Sequence, residues 1–380
     1  MQVDIEDTDR IIGGHHGSNS GAIDPELVRS MRHVVARFGS DLHLTVGRPP
    51  IIRVDGQIAE IPGERALDAE AISRMVRTML VEDHWHRYLE RRQVDFSISL
   101  SGIGRFRVNA YHQLGSPAAA LRNIPTIIQT AADIGVSADV ERVARFPYGL
   151  VLFVGPTGSG KSTTQAALIN DVNATKQCHI LTIEDPVEFI HGRGLALINQ
   201  REVGTDVRSF ADGLRAALRE DPDVILLGEM RDEESIAITL TLAETGHLVF
   251  ATLHTNDAPQ AIDRIIDSYP SDRRNQIQTQ LAGALQAVIS QRLVPRIGGG
   301  RVAAFEVIIA NDAIRNLIRE GKTRQIRNVI STGRAEGMRT MEQSLGALVV
   351  DGQVNYRDAV AVAQYPNEIP DRRSKQRMPP

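Results

Sequence analysis

The chain has a single cysteine, Cys178, among 380 residues. One thiol excludes an internal disulfide and any multi-cysteine zinc site, and it fits a reducing compartment. Aromatic residues amount to only 4%, few for a protein that stacks nucleic-acid bases. Charge of one sign is also missing: 43 Lys and Arg stand against 47 Asp and Glu, a formal net charge of −4. That balance gives no general attraction to nucleic acid or anionic lipid. No apolar run approaches the roughly 20 residues of a membrane helix. The opening stretch MQVDIEDTDRIIGG is acidic and lacks the apolar region of a signal peptide. The sequence therefore reads as soluble, with any membrane role running through a partner.

What is present suffices for two domains with ample core, since 42% of residues are hydrophobic. Residues 1–23 read as a disordered leader, because GGHHGSNSG offers nothing to bury and its His15 and His16 suit a solvated tail better than a metal site. Residues 24–125 open on a helix, PELVRSMRHVVARFG, and continue in strands that alternate apolar and polar residues, among them VDFSISL and GRFRVNAYHQ. That pattern predicts a small α+β domain, with a linker over 126–137. From 138 to 365 the apolar segments GLVLFVG, HILTIED, DVILLGE and HLVFATLH are continuous rather than alternating. Buried parallel strands of an α/β core read that way. After about Asp272 the expectation is mainly amphipathic helices with one strand, RVAAFEVII. Residues 366–380, with Arg372, Arg373, Lys375 and Arg377, read as an unstructured tail.

The chemistry centres on GPTGSGKS, which matches the phosphate-binding loop G-x-x-x-x-G-K-[ST] in full between a strand and a helix. Gly155, Pro156, Thr157, Gly158, Ser159, Gly160, Lys161, Ser162 and Thr163 form the candidate nucleotide cradle. The three glycines let backbone N–H groups turn toward an anion, and the helix after them adds the positive end of its dipole. Lys161 is suited to the β- and γ-phosphates and Ser162 to Mg²⁺. Glu229, at the end of the strand DVILL, is the candidate to polarise the attacking water or to hold the metal through water. Glu184, Asp185 and Glu188 end another strand, and spacing alone does not choose among them. His254 ends a third and is either a structural histidine or a sensor of the γ-phosphate. Arg105 and Arg107 share one face of a first-domain strand. That face is either solvated or, in a ring of subunits, a source of cations for a neighbour's phosphates.

Together GPTGSGKSTT, ILTIEDPVEF, VILLGEMRD and AETGHLVFATLHT resemble the Walker A, Asp-box, Walker B and His-box segments of the secretion ATPases that drive type IV pili and type II and IV secretion. SDLHLTVGRPPIIRVDG, INQREVG and AIRNLIRE resemble the pilus-retracting members, and the likeness runs from about residue 25 to 365. The resemblance implies a homohexamer with a PAS-like N-terminal domain joined to a RecA-like P-loop core, ATP and Mg²⁺ bound between the domains, and an inner-membrane platform protein as partner. The location would be cytoplasmic, at the inner face of the cytoplasmic membrane. It carries the phosphate and Mg²⁺ roles to Lys161 and Ser162, and the Asp-box role, with a water-mediated metal contact, to Glu188. The catalytic glutamate becomes Glu229 and the His-box histidine His254. Arg105 and Arg107, joined by Arg122, would meet a neighbour's phosphates. Two features depart from the family pattern: a longer leader, and LGSPAAAL after VNAYHQ, where relatives usually have another arginine.

AIRNLIRE, Ala313 to Glu320, decides what the phosphate chemistry drives. As a helix it groups Ala313, Ile314, Leu317 and Ile318 on one face and sets Arg315 and Arg319 four apart on another, with Asn316 and Glu320 between turns. Periodicity alone is met by a packed surface helix. The resemblance adds that the segment marks retraction ATPases and serves their output. Relatives that extend pili or drive secretion commonly hold a four-cysteine zinc site, which one cysteine cannot build. The expected function is an ATP-hydrolysing motor for pilus retraction. A type IV or type II secretion ATPase is the neighbouring alternative, and a nucleic-acid translocase or a nucleotide-gated assembly protein represents other classes.

Overall fold

The computed structural model describes residues 23–54, 56–125 and 128–371. They divide into two compact units: the described residues up to 125 together with Glu188–Arg193, and Ile128–Val187 together with the described residues from Gly194. The leader segment GGHHGSNSG lies outside the described residues. No helix among those described is long and apolar enough to cross a membrane.

The first unit opens on α1 (Pro25–Ala36), whose N-cap Asp24 accepts hydrogen bonds from the backbone N–H groups of Glu26 and Leu27. Strands β1 (Asp41–Leu44), β2 (Ile51–Val54) and β3 (Gln57–Glu60) follow, then α2 (Ala69–Met79), α3 (Glu82–Arg91), β4 (Gln93–Leu100), β5 (Gly104–Gln113) and β6 (Ser116–Ile124). The strands form one antiparallel sheet in the order β3-β2-β1-β6-β5-β4. Alternation does its expected work in β5, which buries Phe106, Val108 and Ala110 against Met31, Ile72 and Met75. Helix α2 was not singled out by pattern, although AEAISRMVRTM buries Ala71, Ile72, Met75, Val76 and Met79 along one helical stripe.

The second unit runs α4 (Ala138–Glu141), β7 (Gly149–Val154), α5 (Lys161–Thr175), β8 (His179–Glu184), β9 (Leu197–Glu202), α6 (Phe210–Ala217), β10 (Val224–Leu227), α7 (Glu233–Glu244) and β11 (Leu248–Leu253). It continues through α8 (Ala258–Asp267), α9 (Arg274–Ala284), β12 (Leu285–Pro295), β13 (Arg301–Ile309), α10 (Asp312–Arg319), α11 (Ile326–Thr332), α12 (Met341–Val350) and α13 (Tyr356–Val362). Its sheet has the order β13-β12-β7-β11-β10-β8-β9, and every neighbouring pair is parallel except β12 with β13. β7, β10 and β11 are buried throughout. Leu150, Leu152 and Val154 of β7 enter the core on one face, and Val151 and Phe153 enter that on the other. Apolar residues on both faces explain why these strands read as unbroken runs.

Two expectations need correction. LQAVISQRLVP, expected within a mainly helical region, is the strand β12. It lies between β7 and β13 and is buried on both faces, so its apolar residues show neither strand alternation nor a helical stripe to separate the two. The tail begins later than 366. Ile369 is buried with Leu345 and Val349, and Glu368 pairs with Arg327 at 2.8 Å, so one apolar anchor holds a polar segment down. Arg372, Arg373, Lys375 and Arg377 lie outside the described residues.

Phe153 and Phe250 meet edge-on across β7 and β11, with centroids 5.8 Å apart and no exposure. Phe250→Ala is expected to cost about 3–5 kcal/mol, seen as a lower urea midpoint with native circular dichroism in buffer. An unmoved midpoint would contradict its central place in the second unit.

Candidate active site

Register brings the strand ends together. Val154 of β7 is level with Leu253 of β11 on one side and Ser290 of β12 on the other. Leu227 of β10 is level with Ala251 and with Ile183 of β8. Gly155, His254, Glu229 and Asp185 therefore leave the sheet along one carboxyl edge, where open α/β sheets place their ligands, and Gln291 lies beside them on β12, which runs on to Pro295.

The loop from Gly155 to Gly160 has positive φ at Gly155 (142°), Gly158 (78°) and Gly160 (88°). Space as well as torsion demands glycine at the two ends. A Cβ at 155 would lie 2.4 Å from the Gln291 carbonyl oxygen, and one at 160 would lie 2.8 Å from Gln291 Nε2. Pro156, Thr157 and Gly158 form the exposed crest, Ser159 is buried, and Ser162 and Thr163 lie half-buried in the first turn of α5. Lys161 is only 6% exposed. Its Nζ donates to the carbonyl oxygens of Gly155 at 2.7 Å and Pro156 at 3.1 Å, which holds the charge beneath the loop crest. Beside the loop is a cavity of about 590 Å³ lined by Ile134, Gly160, Thr163, Leu293 and Arg296 among others.

A charged cluster faces the same edge. Glu229 Oε2 accepts from Arg231 Nε at 2.7 Å, and Arg231 also donates to Asp185 Oδ2 at 3.2 Å. His254 Nε2 is 3.6 Å from Glu229 Oε1. Burial holds the His254 pKa below its ordinary value, the Lys161 charge pushes the same way, and Glu229 opposes them. The imidazole is thus neutral near pH 7 and offers one donor and one acceptor. Glu184 turns inward instead, buried and accepting from Thr182 Oγ1 at 2.7 Å. Arg231 had no role assigned by sequence reasoning. The only signal was its spacing, a cation two residues beyond the strand-end Glu229.

The other candidates for this chemistry belong to the first unit. Glu188 lies in the 188–193 segment that groups with the first unit. Arg105 and Arg107 share the face of β5 opposite Phe106 and Val108, and Arg107 is level with Arg122 of β6. Like charges placed opposite each other are unfavourable in a sheet. Asp41 offsets this one, accepting from Arg122 Nε at 3.0 Å. Arg105 donates to Ser99 Oγ at 3.5 Å.

In α10 the N-cap Asn311 accepts from the Ile314 N–H at 3.0 Å, and Ile314 and Ile318 are fully buried with Leu281 and Ile326. Leu317 is half-buried. Ala313 is exposed, which corrects the expected four-residue apolar face: the helix meets the core through Ile314, Leu317 and Ile318. Arg315 is drawn to the end of α9, donating to the carbonyls of Ala282 and, at 2.8 Å, Gly283. Arg319 bonds Asn316 Oδ1 at 2.5 Å, and Glu320 is exposed.

Residues 17–361 match the family model described as type II/IV secretion system protein. The chain belongs to that family. It is 47% identical over 330 residues to a type IV pilus retractation ATPase, PilT, of Pseudomonas aeruginosa, spanning 87% of this chain and 96% of the relative. A twitching motility protein of Neisseria gonorrhoeae is 49% identical over 307 residues, or 80% of this chain and 82% of that one. A crystal structure of the pilus retraction motor PilT with bound ADP superposes with a TM-score of 0.82 at 44% identity, covering 93% of this chain and 98% of the other.

The Lys161 and Glu229 charges have opposite, separable effects on His254. Lys161→Ala is expected to raise the His254 pKa and Glu229→Gln to lower it further, followed by imidazole NMR shifts against pH. Shifts of the reverse sign would place His254 outside the electrostatic reach of the loop.

Proposed function

We propose that this chain hydrolyses ATP with Mg²⁺ and, as a homohexameric ring, powers retraction of type IV pili. The observation that carries the reading is the alignment of the phosphate loop, Glu229 and His254 along one sheet edge. It occurs in a chain 47% identical to a pilus retraction ATPase over most of its length.

In this reading the backbone amides of 155–160 and the start of α5 hold the phosphates. Lys161 exchanges its two loop carbonyls for phosphate oxygens. Glu229 takes a proton from the attacking water, and its bond to Arg231 fixes which oxygen faces that water. The neutral His254 donates to the γ-phosphate without adding charge. The Ser162 hydroxyl, half-buried in the first turn of α5, suits a hard divalent cation, and the Asp-box resemblance gives Glu188 a role through water. When bound, Mg²⁺ neutralises charge on the β- and γ-oxygens. Arg105 and Arg107, with Arg122, supply cations to a neighbouring subunit's phosphates, which makes hydrolysis depend on ring assembly. The segment 313–320 passes the resulting motion on, and the pull reaches an inner-membrane platform protein from the cytoplasmic face.

Lys161→Ala is expected to abolish phosphate release and twitching with the fold intact, and Glu229→Gln to retain ATP while slowing hydrolysis about 10²–10⁴-fold. Wild-type turnover in a folded Lys161→Ala protein would sink the assignment. Mixing Arg107→Ala subunits with Lys161→Ala subunits tests the arginines. Mixed rings should regain part of the activity that each protein lacks alone, because some interfaces then combine an intact loop with an intact arginine. Rings shown to mix but still inactive would mean that Arg107 does not serve a neighbour.

A further inference from the structure

Gln291 is a primary amide, 2% exposed, on a strand whose neighbouring residues Ala287, Val288 and Ile289 are fully buried. Burying an amide is costly unless its polar atoms are used, and a leucine or methionine would fill the same volume without that cost. Its contacts explain the choice. Oε1 accepts from Thr164 Oγ1 at 2.9 Å, in a bond buried on both sides. Nε2 lies where a side chain at Gly160 would have to go, 2.8 Å from that Cβ position, and the Gln291 carbonyl does the same at Gly155. Thr164 itself closes the first turn of α5, its N–H donating to the Gly160 carbonyl at 3.0 Å. One residue of β12 thus meets the first glycine of the phosphate loop, its last glycine and the first turn after it.

We infer that Gln291 is a positioning residue for the phosphate loop, holding it from behind in the shape that receives a nucleotide. The inference rests on the nucleotide-binding reading above and adds a residue outside the loop motif. Glycine is the residue least restricted in φ and ψ, so a loop with three glycines at positive φ samples many shapes unless something limits it. Gln291 narrows two of the three, at Gly155 and Gly160. Gly158, at the crest, has nothing within 4 Å of its Cβ position and is left to the ligand. A loop already in its binding shape loses less freedom when the phosphates arrive. Loss of Gln291 should therefore weaken ground-state nucleotide binding, raising KM more than it lowers kcat.

The test compares Gln291→Leu, Thr164→Val and the double variant in the full-length protein, using a fluorescent ADP analogue and steady-state phosphate release. Each single variant is expected to bind ADP about tenfold more weakly, the scale of one hydrogen bond lost with its buried partner left unpaired. The double variant should be no weaker than the worse single, because both remove the same bond. Wild-type affinity in folded Gln291→Leu, or additive losses in the double variant, would overturn the role. If Gln291→Leu does not fold, Thr164→Val, which changes one hydroxyl to a methyl, decides alone: unchanged affinity rejects the inference. Wild-type protein that binds no ADP would instead reject the nucleotide reading itself.

Discussion

The pairing of β7 between two parallel neighbours is the constraint on which the site depends. Level with Val154 on either side are Leu253 and Ser290, so Gly155 and His254 emerge together beside β12, which runs on to Pro295. A slip of one residue would move every side chain to the opposite face. Val151 and Phe153 would then enter the core now filled by Leu150, Leu152 and Val154. The hydrophobic layers on the two faces thus fix the register, and the register fixes the distance between the loop after β7 and the residues at the neighbouring strand ends. The geometry of this edge is a by-product of sheet packing.

Charges along that edge are balanced before any ligand is considered. Lys161 and Arg231 stand against Glu229 and Asp185, and each has a stated partner: two loop carbonyls for the lysine, both carboxylates for the arginine. Lys161 can exchange its two carbonyl oxygens for a stronger anionic acceptor, whereas Arg231 is already paired with two carboxylates. His254, kept neutral by burial and by Lys161, adds a polar contact without altering the balance. Fixed dipoles and charges of this kind stabilise developing charge without reorganising at the moment of reaction.

The fold was legible where burial is two-sided and bounded by glycine. β7 and β11 read as strands because unbroken apolar runs stop at Gly155 and at the polar His254-Thr255-Asn256. β12 was not legible: LQAVISQRLVP follows a helix directly and has no turn residue to mark its start. Its loss from the sequence reading also hid Gln291, since a glutamine in a supposed surface helix attracts no attention. Arg231 was hidden for a different reason. Its partners Glu229 and Asp185 come from different strand ends, 46 positions apart in the case of Asp185, and only the parallel crossover joins them. Ala313 shows the limit of helical periodicity, which ranks faces by polarity but cannot say how wide a strip the core will cover.

The junction between α9 and β12 bears on how force passes through the molecule. Ala284 ends the helix and Leu285 begins the strand, so no loop separates them. The one irregularity is a register shift between Leu285 and Ala287, which leaves Gln286 as the single residue of slack. That residue is pinned: Arg315 reaches its Oε1 at 3.4 Å, and its side chain fills the space a Cβ at Gly149 would occupy. A joint with its slack taken up is stiff. Arg315 of α10 and the start of β12 are thereby tied together at a point with no give, a rigid coupling rather than a spring.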